Sequence, residues 1–192
     1  MELLTGILSA FGLSASAGLN AYIPMLVIAL LGRFTDLIQL NSPWDTLSNS
    51  WVIGLLVVLS LIEFFADKFP AVNHVNDVIQ TFIRPVAGAI VFAASANVIT
   101  EINPIFSLAL GLVVAGSVHA VKSVAVRPAI TATTGGAGNV PVSILEDMLS
   151  TLLSILSVIV PVVISALIII VTAWVIWLLW RRANRDRLGR VS

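Results

Sequence analysis

The chain has 192 residues, of which 58% are hydrophobic and only 10% are charged, with ten basic and ten acidic side chains. Soluble domains carry about 25% charged residues, so this composition excludes a water-soluble protein and indicates a membrane protein. The balanced charge offers no attraction for nucleic acid, and the lack of cysteine excludes disulfides and thiolate metal sites. We expect one transmembrane domain over residues 1–180, a basic cytoplasmic tail over 181–192 and no nucleic-acid partner.

The apolar runs, taken in chain order, predict an all-α integral membrane protein with four to five transmembrane helices. They cover residues 3–33, 51–66, 85–100, 105–126 and 149–180, and one span needs roughly 20 apolar residues. Segments near 13–24 and 127–160 are interrupted by glycine, proline and polar residues, which is typical of broken or re-entrant helices in transporters. A long, tilted and kinked helix explains the first interruption equally well. Four spans remain if the first run is re-entrant, and five if it crosses.

Local signals predict where several elements begin. Asn41-Ser42-Pro43 and Asn103-Pro104 each offer an N-cap residue followed by a proline suited to the first helical position. The glycine-rich segment Thr131–Val140 predicts a loop. Ser143 and Glu146 have the spacing of a capping box, in which the serine caps a helix and the glutamate reaches back to it. That local role is sufficient to explain Glu146.

The C-terminal end of the chain predicts its orientation. Five arginines follow the last apolar run, at positions 181, 182, 185, 187 and 190. Basic residues concentrate on the cytoplasmic side of membrane helices, and tryptophans at the same end are typical of an interfacial belt, so we expect a cytoplasmic C-terminus. In either span count Lys68, Arg84 and Arg127 would then face outward, against this trend, unless they fold back into the protein.

The sequence also contains a faint internal echo. Ala17-Gly18-Leu19-Asn20-Ala21 resembles Ala115-Gly116-Ser117-Val118-His119-Ala120, and each half of the chain then has a proline six or seven residues before an aspartate. These two short matches make a degenerate inverted repeat, which is a common transporter architecture, one alternative for the fold.

Ionisable residues inside the apolar sequence are the strongest functional signal, because charge at membrane depth is kept mainly where it faces a protein interior or an aqueous cavity. Glu63 and Asp67 lie four residues apart on one helix face and need a proton, a cation or a basic partner. Asp67 and Lys68 are also explained as a helix end at the interface, whereas Glu63 sits among apolar neighbours. Asp77 and Arg84 share a face, either as a structural ion pair or with Arg84 free to bind an anion.

The second half of the chain adds further candidates. His119 and Lys122 share a helix face, with Arg127 near it two turns on, and these three positive groups suggest an anion or head-group site. Snorkelling to the interface explains Arg127 and, in part, Lys122. Asp147 is less well explained by a helix dipole, and Asn20 lies in the first broken segment. The candidate substrate- or ion-binding residues are Asn20, Glu63, Asp77, Arg84, His119, Lys122 and Asp147. No catalytic, cofactor or metal site is expected, because no motif for one is present.

The polar strings resemble a bacterial inner-membrane family described as domain of unknown function number four-one-two-six. The strings are Gly18-Leu-Asn-Ala-Tyr-Ile-Pro24, Glu63-Phe-Phe-Ala-Asp-Lys-Phe-Pro70, Asp77 to Arg84-Pro85, His119-Ala-Val-Lys122, and Gly135-Gly through Ser143 to Glu146-Asp147. The resemblance covers nearly the whole chain and implies a multi-pass protein of the bacterial inner (cytoplasmic) membrane with one shared polar site. Asn73-His74 departs from the expected acidic neighbour of this histidine, which weakens any role for position 74.

Three functional hypotheses follow. The first is a small secondary transporter or permease, working as a homo-oligomer among membrane lipids, in which Glu63 and Asp77 handle protons or a cation. Arg84, His119 and Lys122 would contact a small polar or anionic solute, lipid head groups included. The second is a membrane-embedded lipid-modifying enzyme with His119 as base, disfavoured because no nucleophile–base–orienter set is evident. The third is a membrane scaffold or assembly protein with structural ion pairs.

Overall fold

A computed structural model describes residues 2–35, 38–68, 70–96, 103–159, 167, 170–178 and 180–181, and it confirms the all-α class, with no strand in these ranges. Within the described residues up to Ile159, seven α-helices follow one another, with a short 3-10 helix at Trp44–Ser48 and a π-helical turn at Lys122–Val126. Residues 170–178 and 180–181 are helical as well. The α-helices are α1 (Glu2–Leu19), α2 (Tyr22–Phe34), α3 (Ser50–Ala66), α4 (Pro70–Ala96), α5 (Pro104–Val121), α6 (Arg127–Thr134) and α7 (Asn139–Ile159).

Helix α1 lies at the centre of the fold and packs against α4, α5 and α7. It runs parallel to α5, since Ser14 contacts Gly111 while Gly18 lies against Ala115. It runs antiparallel to α7, in the same way that α4 and α5 run antiparallel to each other. Helices α2 and α3 pack on each other beside this four-helix assembly. The two echo segments thus run in the same direction, and an inverted repeat does not relate them.

Small residues allow α1, α4 and α5 to approach closely. A Cβ atom placed on Gly18 would lie 2.6 Å from the carbonyl oxygen of Ala115, and one on Gly111 would lie 2.6 Å from the Cβ of Phe92 and closer still to the carbonyl of Gly88. Such glycine contacts are how membrane helices pack without a hydrophobic driving force. The hydroxyl of Ser14 adds a 2.8 Å hydrogen bond to the carbonyl of Gly111 at the same contact.

We expect Gly111→Ala to destabilise the protein by about 1–3 kcal/mol, because the added methyl group forces α4 and α5 apart. The matched control is Gly54→Ala on an exposed part of α3, where no atom lies within 4 Å of the added Cβ. That change should stabilise the helix by up to about 1 kcal/mol through propensity alone. Denaturant titration in mixed micelles measures both, and equal effects of the two variants would contradict the close-packing argument.

Helix α7 has its polar face turned inward. Its buried residues are Ser143, Glu146, Asp147, Ser150, Ser154 and Ser157. Its exposed large hydrophobic residues are Ile144, Leu145, Met148, Leu149, Leu152, Ile155 and Ile159. A helix in water shows the opposite distribution, so the outer face of α7 is suited to an apolar environment. The serine face meets α1, where the hydroxyl of Ser16 lies 2.7 Å from the hydroxyl of Ser154 and donates to the carbonyl of Ser150 at 2.7 Å.

Three helical segments of the described chain are long and apolar enough to cross a membrane: Asn76–Ala96, Pro104–Thr134 and Asn139–Ile159. The other apolar helices, Gly6–Leu19, Tyr22–Phe34 and Ser50–Ala66, are shorter. Residues 160–166 of the last apolar run lie outside the described residues, as do residues 182–192 of the tail. The count of four or five spans therefore stays a prediction.

Several local predictions are corrected by the structure, and one is confirmed. Asn103 caps α5 as predicted, accepting from the backbone N–H of Ile105 at 2.9 Å. Asn41-Ser42-Pro43 precedes only the 3-10 helix, and Asn49 instead caps α3 by accepting from Trp51. The loop predicted for Thr131–Val140 shrinks to residues 135–138, because Gly135 and Gly136 take positive φ angles of 62° and 92° and turn the chain at once.

Candidate functional site

Eight charged side chains meet in one buried layer, here called the charge network, at the level where α1 gives way to α2. Its carboxylates are Glu63, Asp67, Glu146 and Asp147, and its cations are Lys68, Arg84, Lys122 and Arg127. All of them except Lys68 are buried. Four negative and four positive groups make the layer neutral when all are ionised, which is how charge is tolerated away from water.

Arg84 lies at the centre of the network and has no exposed surface. Its Nη2 and Nε donate to one carboxylate oxygen of Glu63 at 2.9 and 3.2 Å. Its Nη1 lies 3.3 Å from Nδ1 of His119. Because arginine can only donate, Nδ1 must accept, so a neutral His119 ring carries its proton on Nε2. That nitrogen lies 3.2 Å from the hydroxyl of Thr81, which in turn donates to the backbone carbonyl of Asp77 at 2.8 Å.

The second centre is Glu146, which contacts two cations through a single oxygen. Its Oε2 lies 2.8 Å from the Lys122 ammonium and 3.0 Å from the Arg127 guanidinium. Five residues on an ideal α-helix leave two side chains about 140° apart. The π-helical turn over Lys122–Val126, closed by a bond from the N–H of Arg127 to the carbonyl of Lys122, rotates both onto one face. Such π-helical turns are frequent at functional sites.

A third group links the network to the break between α1 and α2. Asp147 accepts from the Lys68 ammonium at 2.9 Å and from the side-chain amide of Asn20 at 3.0 Å. The carbonyl oxygen of the same amide accepts from the backbone N–H groups of Tyr22 and Ile23, both at 3.1 Å. Asn20 therefore caps α2 while it binds a carboxylate of α7. The Lys68–Asp147 pair is the most exposed in the network, with side chains 14% and 10% accessible.

Both helix ends at this break are held by charged side chains. The Lys122 ammonium donates to the carbonyl of Leu19 at 3.0 Å, at the C-terminal end of α1. The Glu63 carboxylate accepts from the N–H of Ala21 at 3.2 Å, just before α2 begins. A cation at a helix C-terminus and an anion at a helix N-terminus are the favourable arrangement for the helix dipole. The break is therefore stabilised by the same residues that form the network.

Six of the seven candidate residues come together here: Asn20, Glu63, Arg84, His119, Lys122 and Asp147. The seventh, Asp77, is half-buried and makes none of the ion pairs within the described part of the chain. The pair suggested for Asp77 and Arg84 is not formed, because Arg84 turns to Glu63 and Asp67 instead. Asp77 reaches the site through its backbone carbonyl.

Local explanations are incomplete for four network members. Asp67 and Lys68 do end α3, as the sequence indicates, but they and Arg127 also form ion pairs inside the network. Glu146 is not a capping-box glutamate, because α7 begins four residues before Ser143 and the serine hydroxyl donates to Asp67 instead. For Asp67, the four-residue spacing from Glu63 was the feature of the sequence that indicated a shared site. Among the described residues, no group of three or more histidine, cysteine or carboxylate side chains could hold a metal ion.

A helical chain that turns serines and ion pairs inward and aliphatic side chains outward is a membrane protein. Comparison with protein-family models then gives the family to which the chain belongs. The chain belongs to the family described as Domain of unknown function (DUF4126), whose model matches residues 7–181. The match confirms the resemblance of the polar strings. Comparisons with curated proteins and with solved structures each found no match.

Proposed function

We propose that this protein is a small secondary transporter of the bacterial inner membrane that moves a small polar or anionic solute, coupled to a proton or cation. The observation that carries the proposal is the break between α1 and α2, whose two ends are held by Lys122 and Glu63. Broken helices with charged partners at their ends are how many transporters build binding sites inside the bilayer. A multi-pass topology with a cytoplasmic C-terminus, and a homo-oligomeric assembly among membrane lipids, complete the proposal, which involves no catalytic step.

The short helices support a re-entrant first segment. Tyr22–Phe34 has 13 residues, so it is about 20 Å long at the α-helical rise, against a hydrocarbon core of about 30 Å. The apolar part of α1, Gly6–Leu19, is likewise shorter than a full span. Non-helical backbone at membrane depth is tolerated where protein surrounds it, and Asn20 and Ala21 are buried. We therefore propose that α1 and α2 enter the membrane and meet at the network without each forming a full span.

In the proposed mechanism, Glu63 is the coupling group. Its carboxylate holds Arg84 on one side and the N–H of Ala21 at the start of α2 on the other. Protonation would remove the negative charge that both depend on, which frees Arg84 for an anionic solute and loosens the start of α2. Lys122 and His119 belong to the same buried cluster, and the backbone carbonyl of Asp77 is linked to His119 through the Thr81 hydroxyl. Proton binding and solute binding would thus act on one bistable element, as alternating access requires.

Uptake into proteoliposomes tests this role of Glu63. We expect wild-type protein to accumulate at least one labelled anion from a panel containing succinate and inorganic phosphate under a proton gradient. Glu63→Gln should reduce uptake at least about tenfold, because the amide keeps the side-chain size and one accepting oxygen but cannot carry the coupling proton. The control is Asp45→Asn, at an exposed residue of the 3-10 helix. Wild-type uptake by a folded Glu63→Gln protein would contradict the assignment.

A scaffold function is the second candidate, and one observation favours it: the network's charges are already paired with one another. Under this hypothesis the charges only hold helices together. The double variant Glu63→Gln/Arg84→Met separates the two ideas, because it removes one negative and one positive charge together. If the protein is a scaffold, the double variant should fold and behave like the wild type. If it is a transporter, the double variant should fold but lose uptake.

A further inference from the structure

Asp67 differs from the other carboxylates of the network in how it is held. One of its oxygens accepts from the side-chain amide of Asn76 at 2.6 Å. The other faces the guanidinium groups of Arg84 and Arg127 at 3.7 and 3.5 Å and the hydroxyl of Ser143 at 3.3 Å. Two arginines, an amide and a hydroxyl thus surround one carboxylate. All four groups can donate hydrogen bonds, which is the chemistry of an anion site.

The two arginines hold Asp67 less closely than they hold their other partners. The same Nη2 atom of Arg84 lies 2.9 Å from Glu63, and the same Nη2 atom of Arg127 lies 3.0 Å from Glu146. Close charged hydrogen bonds measure about 2.7–2.9 Å, so the separations to Asp67 are long for this class. Each arginine would keep a carboxylate partner if Asp67 left. Asp67 is therefore the network's most replaceable anion.

The position of Asp67 in the chain also makes it easier to displace than the other carboxylates. Glu63 lies within α3, and Glu146 and Asp147 lie within α7, so their side chains are fixed by a continuous helix. Asp67 follows the last residue of α3, in the turn that leads to α4. A side chain in a turn can leave its site by a local change in backbone angles, without moving a helix.

We propose that Asp67 occupies the binding site of a carboxylate-bearing solute, and that this solute binds to Arg84, Arg127, Ser143 and Asn76 when the Asp67 side chain moves away. This inference rests on the proposed transport function and names its substrate class. The ligand class follows from the group that fills the site now. Exchange of one carboxylate for another leaves the charge of the network unchanged, so the substrate enters without adding an uncompensated charge to the interior.

Chemical rescue tests the proposal on the purified full-length chain in detergent. Asp67→Ala removes the resident carboxylate, and sodium formate supplies one of the same size. We expect saturating formate to raise the melting temperature of Asp67→Ala by roughly 5 °C, through mass-action stabilisation of the folded state, relative to sodium chloride at equal ionic strength. Wild-type protein, whose site is filled, and the Asp45→Ala control should bind formate with an affinity at least about tenfold lower.

Two further variants keep the test decisive. Asp67→Ala/Arg127→Met lacks one of the two guanidinium groups and should lose the formate response, so its retention would place formate elsewhere and overturn the proposal. If Asp67→Ala does not fold, Asp67→Asn replaces it, because the neutral amide keeps the volume but competes poorly for the arginines. Formate should then stabilise Asp67→Asn more than wild type. A response in these variants no larger than that of Asp45→Ala would also overturn it.

The sources of the carboxylate and the two levels of the proposal are separable. Formate acting alone indicates a soluble carboxylate, whereas an added response to phosphatidylserine over phosphatidylglycerol in the micelles indicates a head group; both support the site. A formate response without uptake of any anion by proteoliposomes would overturn transport and leave the carboxylate site standing. Anion uptake by the wild-type protein, together with no formate response of Asp67→Ala, would overturn the carboxylate site and leave transport standing.

Discussion

Arg84→Met is expected to destabilise the folded protein by about 3–5 kcal/mol, the usual effect of removing one partner from a buried ion pair. Arg84 and Glu63 have no exposed side-chain surface, and Asp67 is nearly as buried. Without the guanidinium, Glu63 keeps only the N–H of Ala21 and His119 loses the donor that sets its tautomer. Titration with a denaturing detergent, followed by tryptophan fluorescence, measures the loss.

Two companion variants show that charge balance is the cause. Arg33→Met removes an exposed arginine whose guanidinium donates to the carbonyl of Ser48, and we expect a change below about 1 kcal/mol. Glu63→Gln/Arg84→Met restores neutrality and should recover at least half of the stability lost by Arg84→Met alone. Additive losses in that double-mutant cycle would mean that the two residues do not interact.

Glu146→Gln should have the next largest effect, a loss of about 3 kcal/mol, because two buried cations lose their shared negative charge. Lys122 and Arg127 both contact Oε2 of this residue. The amide oxygen still accepts a hydrogen bond, which keeps the loss below that of a deletion. The same detergent titration measures it.

The compensating change for Glu146→Gln is Lys122→Met. The double variant has three carboxylates and three cations left in the network, and we expect it to be more stable than Glu146→Gln alone. Lys122→Met by itself leaves the Leu19 carbonyl without its ammonium donor but keeps Glu146 paired with Arg127. If the double variant is less stable than either single variant, repulsion between unbalanced cations is not what destabilises Glu146→Gln.

Much of the fold could be predicted from hydropathy alone, because lipid imposes helices on every apolar run. Helix boundaries were less predictable where distant partners replaced local ones. Ser143 has the sequence context of a cap, yet its hydroxyl donates to Asp67, which lies 76 positions away in the chain. A local motif cannot anticipate such an acceptor. The composition predicted a broken or kinked helix near residues 13–24 but could not choose between the two, since glycine and proline are common in unbroken membrane helices as well. The structure ends α1 at Leu19 and begins α2 at Tyr22.

The site was predictable as a set of charges but not as a set of pairs. Seven residues along a helix place Asp77 and Arg84 on one face but about 10 Å apart along its axis, too far for direct contact. Glu63 reaches Arg84 from a neighbouring helix, and no spacing rule describes that approach. Ideal helical spacing could not place Arg127 beside Lys122, because the π-helical turn changes the face that a residue five positions after Lys122 presents. Proline at position 128 was the one local sign that the helix would not continue regularly.

The serine face of α7 has a consequence for movement. Ser154 and Ser157 donate to carbonyls one turn earlier in their own helix, Ser150 and Leu153, at 2.7 and 2.6 Å. A hydroxyl with such a partner in reach is not stranded when its helix withdraws from α1, so the polar groups of this seam impose little penalty on separation. An aliphatic seam interlocked by side-chain shape would resist the same motion. Along its serine face helix α7 is thus joined to α1 by a contact that can part and re-form, whereas Glu146 and Asp147 fix the preceding part of α7 in the charge network.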